Sequence, residues 1–322
     1  MKSFIITKND AGQRLDKFVT KTAPMLPSSL LYKSIRTKHI KVNRKKCEIS
    51  TRLCEGDVVD MYISDEFFAP AEIKYDFMSA SKNIDIIYED ENILLLDKKA
   101  GLLSHPDEGE YTDTLITRVK RYLYEKGEYD PSAENSFAPA LANRIDRNTS
   151  GIVIAAKNAE SLRNLNDIIK RRDITKLYLC VCIGKLPKNS DILEGFLFKD
   201  EKKNQVFVSN KFRPGSKEIR TKYTVLGYKN GLSLCEIDLL TGRTHQIRAH
   251  LSSIGHPLLG DGKYGTNENN KAHGGYKKQF LCSYKLIFKD NADLGNLSYL
   301  AGKSFEVKSV WFKDAFLNNE LK

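Results

Sequence analysis

At 322 residues, with 41% hydrophobic and 29% charged residues, the chain has the makeup of a soluble globular protein with room for one large and one small domain. Its longest apolar runs, such as 93–96 and 151–156, are far shorter than the ~18 residues a membrane-spanning helix needs. The first ten residues hold no signal-like apolar stretch, so the expected setting is the cytoplasm, away from any membrane. The formal charge of +11 is concentrated, because residues 1–62 carry 13 Lys/Arg against 6 Asp/Glu and residues 63–322 carry 39 against 35. Positive charge gathered in one segment suits a phosphate backbone, where each neutralised phosphate releases counterions.

The N-terminal segment predicts a compact α/β unit. Leu15, Phe18 and Val19 recur at helical spacing, as do Leu30, Leu31 and Ile35 behind a cap-like Ser28–Ser29 pair. Residues 40–42 and 57–63 are strand candidates. From residue 33 to 46 the chain carries Lys33, Arg36, Lys38, Lys41, Arg44, Lys45 and Lys46, with no acidic residue among them. Such a run forms one positive face, either an RNA contact or a plain solvated surface. The stretch from GQRLDKF at 12–18 through GDVV at 56–59 resembles the S4 RNA-binding domain. The expected domain is 1–63, followed by a linker at 64–82, where acids, proline and Ser/Ala mix without a period.

From residue 83 to 322 strands dominate. Runs at 84–88, 93–97, 151–156, 177–183, 192–198, 205–208, 221–226, 232–240 and 280–288 read as strands, with helices at 112–126, 159–171, 244–254 and 310–317. Strands that follow one another with few helices between them predict an α+β domain around a mixed, mostly antiparallel sheet with flanking helices. No Gly-rich phosphate loop is present. The six cysteines, at 47, 54, 180, 182, 235 and 282, form no C-x-x-C, and Cys180 and Cys182 share one strand face, so they read as reduced buried thiols.

One polar block, NRIDRNTSG at 143–151, runs directly into the apolar strand 152–156. In it Asp146 lies between Arg144 and Arg147, and nearby positive charge favours the carboxylate. If the loop is extended, Arg144 and Asp146 point to the same side. Physical chemistry alone leaves this as either a structural ion pair or a functional carboxylate.

The block resembles the catalytic loop of the RluA-type pseudouridine synthases (RluA, RluC and RluD), and three further matches follow the family's order. They are KAGLLSHP at 99–106, KLY at 176–178, and LTGRTHQIRAH at 240–250 with its continuation GHPLLGD at 255–261 and Tyr264–Gly265. The resemblance implies the pseudouridine synthase fold for residues 83–322 and a reaction that isomerises uridine to pseudouridine without cofactor or metal. It implies that Asp146 attacks the target nucleotide, at sugar or base, that Arg248 holds it as the anion, and that Tyr178 packs against the flipped uracil and helps remove the C5 proton. Arg144 would fill the space left by the extruded base, with Arg147, Arg243, His245 and Gln246 also at the substrate. The implied partner is structured RNA, above all large-subunit ribosomal RNA, bound by a monomer.

On the helix after Gly242, residues Ile247, His250, Leu251 and Ile254 give a core stripe. Arg248 falls off that stripe on a face shared with His245, and Thr244 is a candidate cap. His245 and His250 lack a third ligand for zinc, and His105 and His256 precede prolines as turn formers. The chain departs from the family pattern at Asn143 (usually His), Ile145 (usually Leu) and Lys99 (usually Pro). Rival readings are a non-catalytic RNA-binding or ribosome-assembly factor, a tRNA pseudouridine synthase, and a glycosidase-like hydrolase. A glycosidase would want a second carboxylate that these motifs do not supply.

Overall fold

In the computed structural model, which describes residues 1–68, 71–200 and 205–321, the N-terminal residues close around a core of their own. Strand β1 (Lys2–Ile5), helices α1 (Leu15–Thr22) and α2 (Ser28–Arg36), and strands β2 (Ile40–Val42) and β3 (Val58–Met61) form an antiparallel sheet of order β1-β3-β2 beneath two helices. The helical spacing read above places Leu15, Phe18, Val19, Leu31 and Ile35 against Ile40, Val59 and Met61. The expected Ser28–Ser29 cap does not form. Pro27 occupies the cap position and Ser28 already begins the helix, which suits proline's fixed φ at a helix start. Strand β1 gives no periodic signal, because most of its residues are exposed at the sheet edge.

Two 3-10 helices, Asp65–Phe67 and Ala71–Ser79, lead to the larger body. Phe68 belongs to the small core and Phe77 to the large one, so this stretch is anchored at both ends. The seam between the bodies is polar. Buried Asp10 accepts hydrogen bonds from Asn135 Nδ2 (2.8 Å) and Ser136 Oγ (2.6 Å), while Asn9 Nδ2 donates to Glu134 (2.7 Å) and Gln13 Nε2 to Ser136 (2.8 Å).

The larger body opens with β4 (Ile86–Glu89), β5 (Ile93–Lys98), α3 (Leu115–Glu125), β6 (Ala140–Leu141), β7 (Ser150–Ala156) and α4 (Ala159–Arg171). It continues with β8 (Ile174–Ile183), β9 (Ser190–Asp200), β10 (Gln205–Ser209), β11 (Lys217–Lys229), β12 (Leu232–Asp238), α5 (Gln246–Ser253) and α6 (Asn267–Ala272). Strands β13 (Leu281–Phe288) and β14 (Ser304–Glu306) and helix α7 (Trp311–Leu317) end it. The sheet order is β10-β9-β11-β12-β8-β13-β7-β5-β4, with β14 on β13 and β6 on β7. The β7–β13 pair is parallel and the other strand pairs given are antiparallel, as expected for the α+β class. Both faces of the middle strands are covered. Ile152, Ile154, Leu179 and Val181 pack with α4 and α7, and Val153, Ala155, Tyr178 and Cys180 pack with α3 and α5. That double burial explains why β7 reads as an unbroken apolar run. Cys180 and Cys182 are free and buried on one face, their sulfurs 3.8 Å apart.

The polar seam generates a prediction. The double variant Asn135→Ala/Ser136→Ala removes both hydrogen bonds from the larger body to Asp10, leaving it those from Thr7, and weakens docking by about 2 kcal/mol. Limited proteolysis within 64–82 should accelerate while the larger body melts as before; an unchanged cleavage rate refutes this role for the seam.

Candidate active site

The polar loop ahead of β7 is held next to β8 by a strand from far along the chain. In β13, Ser283 pairs with Gly151 on one side and with Tyr178 on the other. Gly151 has φ +106°, and a Cβ there would lie 2.2 Å from the Ser283 carbonyl oxygen, so only glycine permits this approach. The pairing sets the end of the 143–151 loop within one strand of Tyr178. Asn143, standing where the family usually has histidine, accepts a hydrogen bond from the Ile154 backbone N–H (2.8 Å) and ties the loop to β7.

Asp146 and Tyr178 line a cavity of about 280 Å³, together with Arg243, His245 and Arg248 from the start of α5. Arg248 Nη1 donates to Asp146 Oδ2 at 2.9 Å. The same guanidinium makes a bidentate pair with Asp261, Nε to Oδ2 at 2.7 Å and Nη2 to Oδ1 at 2.9 Å. Asp261 is fully buried and also accepts the backbone N–H groups of Lys263 (2.9 Å) and Tyr264 (3.2 Å). Burial opposes both charges, yet their pairing keeps the Asp261 carboxyl below its ordinary pKa and the Arg248 guanidinium above its own. One face of the guanidinium lies over the Tyr264 ring, 5.0 Å from its centre.

His245 approaches the same Asp146 oxygen, with Nε2 at 3.8 Å, and its Nδ1 meets the Tyr264 hydroxyl at 2.9 Å. Burial is the main cause that lowers its pKa, so the imidazole is neutral at pH 7. Both contacts fall on Oδ2, and among the described residues Asp146 Oδ1 has no protein partner. That leaves one carboxylate oxygen facing the cavity for chemistry. Burial pushes the Tyr178 phenol up to about 12, so it stays protonated and offers a ring face and an O–H donor.

The structure brings Asp146, Tyr178, Arg248, His245, Gln246, Arg144 and Arg243 to one cavity. It does not pair Asp146 with either flanking arginine. Arg144 and Arg147 are exposed, and Arg147 Nε donates instead to the Gly101 carbonyl (3.1 Å). Gln246 is buried, accepting from Thr241 Oγ1 (2.8 Å) and the Arg243 N–H (3.1 Å) and donating to the Arg220 carbonyl (3.1 Å) and Thr221 (3.0 Å). It therefore shapes the turn before α5. The expected Thr244 cap is absent, because His245 takes the cap position in the left-handed region, φ 54°. His250 of the core stripe is buried on Thr221, 2.9 Å away. Of the basic N-terminal residues, Lys33, Arg36 and Lys46 line a separate open groove with Tyr32 and Ile49, while Lys38, Arg44 and Lys45 are exposed and Lys41 lies over the Tyr62 ring.

Two residues escaped the sequence reading. Asp261 lay inside a matched motif without an assigned role. Lys98, 1% exposed, follows an apolar run and gave no signal at all. Its ammonium donates to the carbonyls of Lys99 (3.0 Å), Leu102 (2.7 Å) and Arg147 (3.0 Å), so it fastens the turn after Asp146. Burial lowers its pKa to about 7 against the pull of Asp146. Among the described residues, no group of three or more His, Cys, Asp or Glu side chains is arranged to hold a metal, and no helix is long and apolar enough to cross a membrane.

Lys98 generates a pH prediction. The unfolded chain keeps its proton up to about 10.5 and the folded chain only to about 7, so the penalty is complete below 7 and fades as pH rises. The stability of the native protein relative to Lys98→Met should rise between pH 7 and 10.5, by at most about 1.4 kcal/mol per pH unit. Denaturant unfolding of both proteins at pH 7 and pH 9 checks it; a constant difference sinks it.

Comparison with known proteins agrees with this geometry. The sequence profile described as RNA pseudouridylate synthase matches residues 92–253, half of the chain. An uncharacterized RNA pseudouridine synthase of Mycoplasma capricolum is 35% identical over 292 residues, covering 90% of this chain and 92% of that protein. A protein of Mycoplasma genitalium with the same description is 33% identical and covers 88% of each chain. The ribosomal large subunit pseudouridine synthase C of Rickettsia bellii is 32% identical, covering 88% of this chain and 92% of its own. In fold, the chain is similar to human RNA pseudouridylate synthase domain containing 4, with a TM-score of 0.56 at 17% identity over 74% of this chain and 94% of that one. The matched profile spans the Asp146 loop, Tyr178 and Arg248, and with relatives above 30% identity over nearly the whole chain it makes this protein a member of the RNA pseudouridylate synthase family, isomerases that act on RNA.

Proposed function

We propose that this chain converts uridine to pseudouridine in large-subunit ribosomal RNA, as a monomer, with Asp146 as the attacking carboxylate. The observation that carries the reading is the Asp146 carboxylate, tied by Oδ2 to Arg248 and unengaged at Oδ1, in the cavity that Tyr178 also lines. A target uridine must leave its helix to reach that oxygen. The exposed Arg144 is placed to fill the gap it leaves, and Arg147 and Arg243 are placed to hold flanking phosphates. The ring of Tyr178 then supports the uracil while the bond to N1 breaks and a bond to C5 forms. The chemistry is an isomerisation with no net redox change, so we assign it neither cofactor nor metal.

The assignment to ribosomal RNA draws on relatives named ribosomal large subunit pseudouridine synthase C and on the N-terminal body. We read residues 1–63 as an S4-like RNA-binding domain, 64–82 as its connection and 83–322 as the catalytic domain. Lys33, Arg36 and Lys46 around the exposed Tyr32 give that domain a groove suited to a phosphate backbone.

Tritium release from RNA made with 5-tritiated uridine tests the reaction. Native protein should release tritium from ribosomal RNA and Asp146→Asn should release none; preference for tRNA over ribosomal RNA would reassign the substrate, and release by the variant would remove Asp146 from the chemistry. For the N-terminal body, Lys33→Ala/Arg36→Ala/Lys46→Ala should weaken RNA binding and flatten the salt dependence by about 2–3 units of log–log slope. An unchanged slope would take that groove out of RNA binding.

A further inference from the structure

Lys176 is a cation in the cavity that no protein group balances. It precedes Tyr178 by two residues on β8, so both side chains leave the strand on the same face, and both line the cavity. The other cations nearby are accounted for. Arg248 is shared by two carboxylates, Lys98 is ringed by carbonyls, and Arg144 and Arg243 are exposed. Among the described residues Lys176 has neither a side-chain hydrogen bond nor an ion pair. Ile169, Leu239 and Leu281 also line the cavity. Burial alone lowers its pKa, with no carboxylate acting against it. A desolvated ammonium without a partner is costly unless a ligand supplies negative charge.

Arg248 is shared by Asp146 and Asp261, and Lys98 and Lys263 also act on Asp146. Those cations are engaged with the carboxylates. Lys176 is not, and it lies on the strand face of Tyr178, where the base is read to sit.

We propose that Lys176 binds the carbonyl oxygens of the uracil ring and stabilises the negative charge that gathers there when the base detaches from its sugar. The inference rests on the uridine reading of this cavity. The bonding pair between C1′ and N1 leaves with the base and spreads over N1 and the two ring oxygens. Asp146 bonds to C1′ as N1 leaves; after the ring turns, C5 bonds to C1′ and the Asp146 carboxylate departs with its electron pair, the C5 proton passes to solvent, and N1 takes up one proton, so atoms and electrons balance. A fixed cation at those oxygens strengthens as charge develops and so acts on the bond-breaking step more than on binding.

The test compares native protein, Lys176→Met and Lys176→Arg in single turnovers on RNA carrying either uridine or 5-fluorouridine at the target, read as loss of the original nucleoside from nuclease digests. Fluorine stabilises the ring anion by itself, so it should substitute in part for the lost cation. Lys176→Met should slow conversion of uridine by on the order of 10²-fold with little change in RNA affinity, and slow 5-fluorouridine markedly less. Lys176→Arg should recover most of the rate. The Met variant should also melt at or above the native temperature, since it relieves a desolvated charge, and Lys176→Gln takes its place in the assay if it does not fold.

Equal slowing on both RNAs would overturn the role. So would weaker RNA binding with a shallower salt dependence and an unchanged rate, which would mark a phosphate contact. If native protein converts neither RNA, the uridine reading itself falls and this proposal with it; if it converts uridine normally, only Lys176 is at stake.

Discussion

The guanidinium of Arg248, buried between Asp146 and Asp261, is the interaction on which the rest of the site depends. Two carboxylates and one cation taken from water are costly unless the geometry is close and the remaining lone pairs are met. Here they are met by backbone N–H groups of Lys263 and Tyr264, by the Tyr264 ring and by the neutral His245. The arrangement locks together the loop before β7, the start of α5 and the turn after residue 255. Asp261 orients Arg248, Arg248 orients Asp146, and the one unengaged oxygen of Asp146 is thereby directed at the cavity. Removing any member leaves a buried charge without its partner, so the site tolerates little drift.

A second constraint is the register of β13. By pairing parallel with β7 and antiparallel with β8, it fixes the lateral distance between the carboxylate loop and the Tyr178 strand. Gly151 is what lets the chain pass that close. Lys98 works from below, holding three carbonyls of the turns on either side so that the loop keeps its shape when the cavity is empty. The ammonium group has three N–H donors and here meets three acceptors, which suits a charged lysine in spite of the burial that lowers its pKa.

Charge is sorted between outside and inside. The exposed cations are Arg144 and Arg243 at the cavity, Arg147 beside the Gly101 carbonyl, and the basic groove near Lys33. Lys98 and Arg248 are buried and meet their counterparts in the protein, and the half-buried Lys176 has its counterpart in the proposed substrate. This division suits an enzyme that must hold a polyanion loosely along its backbone and one base tightly. The polar seam at Asp10 joins the two regions without a large apolar interface.

The amino-acid sequence by itself determined the class of fold and the chemical identity of the site. Apolar runs such as 151–156 and 177–183 marked the central strands, helical spacing marked Ala159–Arg171 to the residue, and the ordered motifs singled out Asp146, Tyr178 and Arg248. These signals are legible because they are local: side-chain periodicity and motif spacing are written within a few residues. What only the tertiary structure decided are the partnerships. Position in the chain alone puts Arg144 and Arg147 nearest Asp146, while the family resemblance implied Arg248; in the fold the ion pair is with Arg248, 102 positions away, because that side chain is buried beside it while Arg144 and Arg147 face solvent. Gln246 lines the cavity, and the turn before α5 engages both polar atoms of its side chain, which its place in the motif does not reveal. Lys98 gave no signal and Lys176 carried no role within the KLY match, since the surroundings of a charge depend on what the fold places over it, and no periodicity records that.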